Sequence, residues 1–137
     1  MIAYKVVDKR TRYGTNAAIF IDSTKFSKYE FERFIKENDL VEYYPSYEKG
    51  NIAEAVKDSH GIMCFHDIND AYDFMERENL EDICEIIKVE GINLIHDGKR
   101  SYRIAPSVGM FPNNVKDIKF YEARVYYITY EKVKVLE

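Results

Sequence analysis

Only two stretches of this sequence carry a helical period; most of the remainder is short β-forming runs broken by turns. From Ser27 to Asn38, Phe31, Phe34 and Ile35 recur at i, i+3 and i+4. Ser27 stands where it can cap that helix, and Glu30 three residues on completes a capping box. The second helix is expected from about Asn69 to Glu78, with Asp67 as N-cap and Asp70 near the positive end of the dipole. Ile68, Ala71, Phe74 and Met75 form its apolar stripe.

Around these helices, Ile2 to Val7, Ile62 to Phe65 (expected to be central) and Cys84 to Val89 read as strands. Val125 to Tyr130 and Lys132 to Val135 read as one bent strand or two. Ala17 to Ile21 reads as a second strand or an ordered loop, and Ile52 to Val56 as a weak strand or a single helical turn. Asp97-Gly98 is a good hairpin pair to join Ile92–His96 to Ser101–Ile104, and Ala105 to Asn114 reads as loop. Strand, helix, strands, helix, then mostly strands is an α+β order, with one mixed or antiparallel sheet and about two helices. A chain of 137 residues fits a single domain over 1–137.

Charge and cysteine usage narrow the function. The net charge of −4 argues against double-stranded nucleic acid, whose ligands carry a basic excess. Cys64 and Cys84 both lie inside apolar runs, which points to buried thiols and a reducing, cytoplasmic compartment. His60, His66 and His96 are scattered, so no metal spacing is formed and no cofactor is expected. No apolar run approaches the length of a membrane span, and no membrane partner is expected. Twelve Tyr and eight Phe, with no Trp, suit a Tyr-rich sheet or a pocket that stacks flat rings.

Four constellations bear on chemistry. The turn Lys9-Arg10-Thr11-Arg12-Tyr13-Gly14-Thr15-Asn16 sets two guanidinium groups, a phenol and an amide after the first strand, and guanidinium forks suit phosphate oxygens. The loop Tyr43-Tyr44-Pro45-Ser46-Tyr47-Glu48-Lys49-Gly50 offers rings for stacking and an amine for a phosphate. Lys99, Arg100, Tyr102 and Arg103 are a further basic group that would complete an anion site. Cys64 lies two residues from His66, on the same side of an ideal strand, although a cysteine inside a strand core is usually inert.

A set of segments spanning most of the chain resembles small accessory proteins of phages and prophages. These are Tyr4-Lys5-Val6-Val7-Asp8, Thr11 to Asn16, Tyr44 to Gly50, Asp58 to Phe65, Ile87 to Gly91 and Tyr130 to Glu137. The resemblance implies a counter-defence sponge that holds a cyclic ADP-ribose-type or cyclic oligonucleotide signal without cleaving it, in the host cytoplasm. Gly61 to Phe65, Ala71 and Ile86 to Glu90 are also similar to the rhythm of minimal ADP-ribosyltransferase-like folds. That similarity would make Glu90 or Glu131 the acidic residue, but the first strand offers no His or Arg in register.

The leading expectation is a non-enzymatic binder of a small nucleotide. Arg10, Arg12, Lys49 and Arg103 would meet phosphates, Tyr13, Tyr44 or Tyr47 would stack on a base, and Asn16 would add polar contact. A homo-oligomer is compatible with it, because pockets often form between subunits. An ADP-ribosyltransferase-like or nucleotide-cleaving enzyme using Glu90, Glu131 or His66, and a protein-binding inhibitor of a host factor, are the alternatives.

Overall fold

The computed structural model describes residues 1–57, 59, 61–97, 102–103, 121–122 and 128–137. For 96–97, 102–103 and 121–122 the description covers the backbone. The fold is α+β, and its main sheet is antiparallel throughout. Strands β1 (Ile2–Asp8), β2 (Ile52–Glu54), β3 (Ile62–Cys64), β4 (Cys84–Asp97) and β7 (Ile128–Val135) build it. β5 (Tyr102–Arg103) and β6 (Tyr121–Glu122) pair with each other. Three helices flank the main sheet: α1 (Thr15–Thr24), α2 (Lys28–Glu37) and α3 (Ile68–Arg77).

The long strand β4 carries the architecture. Its first half pairs with β1, from Asp8↔Cys84 to Ile2↔Glu90. Its second half pairs with β7, from Val89↔Val135 to Asp97↔Ile128, with a register shift between Leu94 and His96. On its other edge β7 takes β2 and β3 one after the other. The residue after β3, Phe65, exchanges both main-chain hydrogen bonds with Tyr4, at 2.7 and 2.8 Å. The order β1-β4-β7-β3 therefore returns to β1, and the sheet curls into a small barrel-like ring. Ala3, Val7, Ile62, Cys64, Ile87, Val89, Val133 and Val135 pack inside it.

Gly91 permits the tight curl of β4. A Cβ there would fall within the ring of Tyr130, which lies flat against the glycine. That phenol also shares a 2.8 Å hydrogen bond with His66 Nε2, so the ring is held from both sides.

The outer face of β1 and β4 is covered by α3, which buries Ala71 and Met75 against Val6, Phe65 and Cys84. α2 is built as its sequence dictates. Ser27 accepts from the Glu30 N–H, and the Glu30 carboxylate accepts from the Ser27 N–H. Asp67 caps α3 by accepting from the Asn69 N–H at 2.8 Å.

The segment expected as a strand or loop at Ala17 to Ile21 is instead the middle of α1. Thr15, Ala17, Ala18 and Ile21 are its buried positions, and that spacing is helical. The pair of alanines favours helix and lets the backbone approach the sheet, outweighing the β preference of Ile19 and Ile21. The helix stops at Lys25, whose φ of 61° is left-handed and whose N–H returns to the Ile21 carbonyl. Tyr13, Ile21, Phe31 and Ile35 form a third cluster between α1 and α2. Ile52 to Glu54 resolves as strand, and Ile128 to Val135 as one strand. The proposed loop at 105–114, His60 and residues 125–127 lie outside the described residues.

Candidate functional site

β1 is buried on both faces, and strand alternation sends Ala3, Lys5 and Val7 to the barrel side. Lys5 is therefore a cation inside an apolar ring, paired across to Ile87 and only 6% exposed. Its ammonium makes no hydrogen bond or ion pair among the described residues; what it meets is the face of the Tyr47 ring, 5.2 Å away. Burial accordingly holds the Lys5 amine below its ordinary pKa of 10.5. The titratable groups that act on it are Cys64 on β3 and Cys84 on β4. Burial pushes both thiols up to about 12, so neither offers a negative charge near neutrality.

Tyr47 is placed by the turn that follows β1. Asp8, fully buried, accepts from the Thr11 hydroxyl at 2.5 Å and from the Arg10 N–H at 3.3 Å. The Asp8 N–H donates to the Tyr13 carbonyl at 2.7 Å, and Arg12 is turned into a left-handed conformation with φ 64°. Arg12 then grips the tyrosine loop: its carbonyl accepts from the Tyr47 N–H at 2.7 Å, and its Nε donates to the Tyr47 carbonyl at 3.0 Å. Tyr47 is thereby pressed between the barrel and the start of α1, and burial raises its phenol above the ordinary tyrosine value.

α1 begins at Gly14, which supplies no side-chain cap, and no acidic residue stands in the first turn. The first N–H groups of a helix have no carbonyl partner within it, and they carry the positive end of the dipole. The Tyr47 ring lies beside this start; a Cβ on Gly14 would sit 3.6 Å from its Cε2. Lys5, the Gly14–Ala17 turn and the Tyr43–Tyr47 loop thus line one cleft, closed on its third side by Gly61, Ile62 and Met63. The cleft offers about 50 Å³ to the centres of water molecules. One water needs roughly 10–15 Å³ of such volume, so the cleft as a whole accepts a few waters or one oxyanion.

Of the residues singled out from sequence, Asn16, Tyr44 and Tyr47 line this cleft. Tyr44 is also anchored edge-on to Phe31 at 5.4 Å. Arg10, Arg12, Tyr13 and Lys49 do not line it. Arg10 pairs with Asp8 at 3.4 Å. Arg12 spends its guanidinium on Tyr47, on Glu85 at 3.4 Å and on the main-chain oxygen of Glu137 at 2.6 Å. Tyr13 is buried against Phe31 with its hydroxyl 3.2 Å from Glu32, and burial beside that carboxylate raises the phenol to about 12. Lys49 is exposed on its turn. The Arg103 side chain lies outside the described residues.

Lys5 is the residue that sequence reasoning passed over. Its signal was a single lysine within the β-forming run Tyr4 to Val7, and the apolar residues Val6 and Val7 on both parities hid the face it takes. Cys64, His66, Glu90 and Glu131, the residues considered for catalysis, are not among the residues that line the cleft, although Cys64 lies behind Lys5 and Tyr47. Among the described residues no group of three or more His, Cys, Asp or Glu is placed to hold a metal ion, and no helix is long and apolar enough to cross a membrane.

No protein-family model, curated protein or solved structure matches this chain.

Proposed function

We propose that the chain is a cytoplasmic, non-catalytic receptor that binds and sequesters a small nucleotide. The observation that carries the reading is the cleft itself, where tyrosine rings and a helix N-terminus converge over a buried, unpaired lysine. Tyr43 and Tyr44 at the rim supply flat faces for a base, and the floor is electropositive. Binding is favoured over turnover because Cys64, His66, Glu90 and Glu131, the residues considered for catalysis, do not line the cleft. Sequestration is the role implied by the resemblance to phage accessory proteins, and the two reduced thiols suit the cytoplasm of a host cell.

The test is a panel of NAD, ADP-ribose, cyclic ADP-ribose isomers and cyclic oligonucleotides, read by thermal unfolding and then by chromatography of the recovered nucleotide. A true ligand at a hundred times its Kd adds about 2.7 kcal/mol. The expected result is a raised Tm with the nucleotide recovered intact. An altered nucleotide would replace the receptor with an enzyme. No shift and no conversion across the panel would end the nucleotide reading and turn attention to a protein partner.

A further inference from the structure

We propose that the floor of the cleft is an oxyanion subsite, in which Lys5 and the start of α1 together receive a phosphoryl group of the ligand. The inference rests on the cleft being the ligand site, and it names the part of the ligand that site recognises. Three observations carry it.

Lys5 is more than nine-tenths buried, lines the cleft, and has no carboxylate or hydrogen-bond acceptor among the described residues. Its Nζ is not among the fully buried atoms that lack a partner, so it reaches the cleft, where an anion would offset the cost of burying most of the side chain. α1 is a ten-residue helix whose N-cap is a glycine without a capping side chain, and its Thr15 and Ala17 line the same cleft. Its first turn holds no acid and no capping side chain, so none of its own first-turn residues brings a negative charge to the positive end of the dipole. The whole cleft, about 50 Å³ for water centres, has room for one tetrahedral oxyanion beside Lys5 and the start of α1.

The site is also proton-coupled. In the empty cleft, burial disfavours the ammonium form of Lys5. The groups beside it are the Cys64 thiol from β3 and the ring of Tyr47 from its loop, while Cys84 acts on it from the opposite face of the sheet, under α3, and none of the three supplies a negative charge near neutrality. An entering oxyanion favours the ammonium and so raises the lowered Lys5 pKa; at any pH where part of Lys5 is neutral, seating the anion draws protons from solvent. No bond in the ligand is made or broken.

Inorganic phosphate and sulfate are the probes, titrated calorimetrically into the whole chain. Sulfate does not itself titrate near neutrality, so proton uptake measured across buffers of different ionisation enthalpy belongs to the protein. Three variants divide the outcomes: Lys5→Met, Gly14→Asp and, as a control on the exposed turn, Lys49→Met. Lys5→Met is expected to weaken phosphate at least about tenfold and abolish the proton uptake, with Lys49→Met unchanged. Gly14→Asp supplies its own carboxylate to the helix start, where a Cβ has room. It should therefore lose phosphate binding while its Tm rises, a pairing that damage to the fold does not produce.

Absence of phosphate and sulfate binding to the wild-type chain overturns the subsite, as does undiminished binding by Lys5→Met or Gly14→Asp. Should either variant fail to fold, the proton count in the wild-type chain decides: no uptake at any pH near or above neutrality overturns it. The broader reading is tested separately. Nucleotides that bind Lys5→Met as they bind wild type remove the subsite and leave the receptor standing. Phosphate bound through Lys5 with no nucleotide bound does the reverse.

Discussion

Replacing Arg12 by Ala should cost stability, and the structure sets the amount. The guanidinium is 19% exposed and holds three partners that are distant in sequence: the Tyr47 carbonyl at 3.0 Å, the Glu137 main-chain oxygen at 2.6 Å and the Glu85 carboxylate at 3.4 Å. Glu85 is 42% exposed and the contact is long, so screening leaves that pair only about 0.3 kcal/mol. A hydrogen bond from a charged donor contributes about 1.5–3 kcal/mol. Water reaches this site once the side chain is gone, and we take about 1 kcal/mol for each of the two main-chain bonds. The total is about 2 kcal/mol. A chain of 137 residues unfolds with an entropy of about 0.29 kcal/mol/K, so the melting temperature should fall by about 7 °C. Arg12 has φ 64°, a conformation that Ala occupies no more easily than Arg, whereas Gly adopts it at little cost. Arg12→Gly should therefore be more stable than Arg12→Ala by about 1 kcal/mol, against the usual rule that glycine is the weaker residue. Thermal unfolding followed by circular dichroism orders the three proteins as wild type, Gly, Ala. A Gly variant less stable than the Ala variant, or an Ala variant melting with the wild type, refutes the account of Arg12 as the clamp between the first turn, the tyrosine loop and the last strand.

Gly91→Ala places a methyl group within the Tyr130 ring, which is held on its far side by His66, so it should cost about 2–3 kcal/mol in urea unfolding. An unchanged midpoint would show that the ring moves freely. Lys5→Met should stabilise the empty protein, most at low pH. The folded amine lies below its unfolded value of 10.5, so between the two values the unfolded chain binds more protons and wild-type stability rises with pH. The advantage of Met is then full below the folded value and vanishes as pH passes 10.5; urea midpoints of both proteins across that range that keep a constant gap would contradict it.

The local rules in the sequence and the non-local ones fared differently, for physical reasons. Capping at Ser27–Glu30 and at Asp67 needs residues within three positions of one another, and those signals were legible. The strands β1 and β4 were legible from β-branched and apolar runs. α1 was not, because Ile19, Phe20 and Ile21 look like a strand until the sheet demands a close-packed neighbour, which Ala17 and Ala18 supply. The ring closure was invisible too. It depends on one residue, Phe65, meeting Tyr4 across a separation no periodicity encodes.

The same distinction explains the site. The basic turn at 9–12 looks like an anion receptor in sequence because its charges are adjacent. Adjacent charges, however, sit near the surface, where chain neighbours and solvent can neutralise them; in the fold Asp8 meets Arg10, and Glu85 with two main-chain oxygens meets Arg12. Lys5 stands alone among β-forming residues and so carries no such signal. A strand buried on both faces has apolar residues at both parities, which removes the alternation that would reveal where its one charge points. What makes Lys5 inconspicuous in the sequence, its place among buried β-forming residues, is also what the proposed oxyanion subsite rests on. Burial disfavours the ammonium of a lysine that has no carboxylate partner among the described residues, and an anion entering the cleft would favour it the more strongly the deeper that burial.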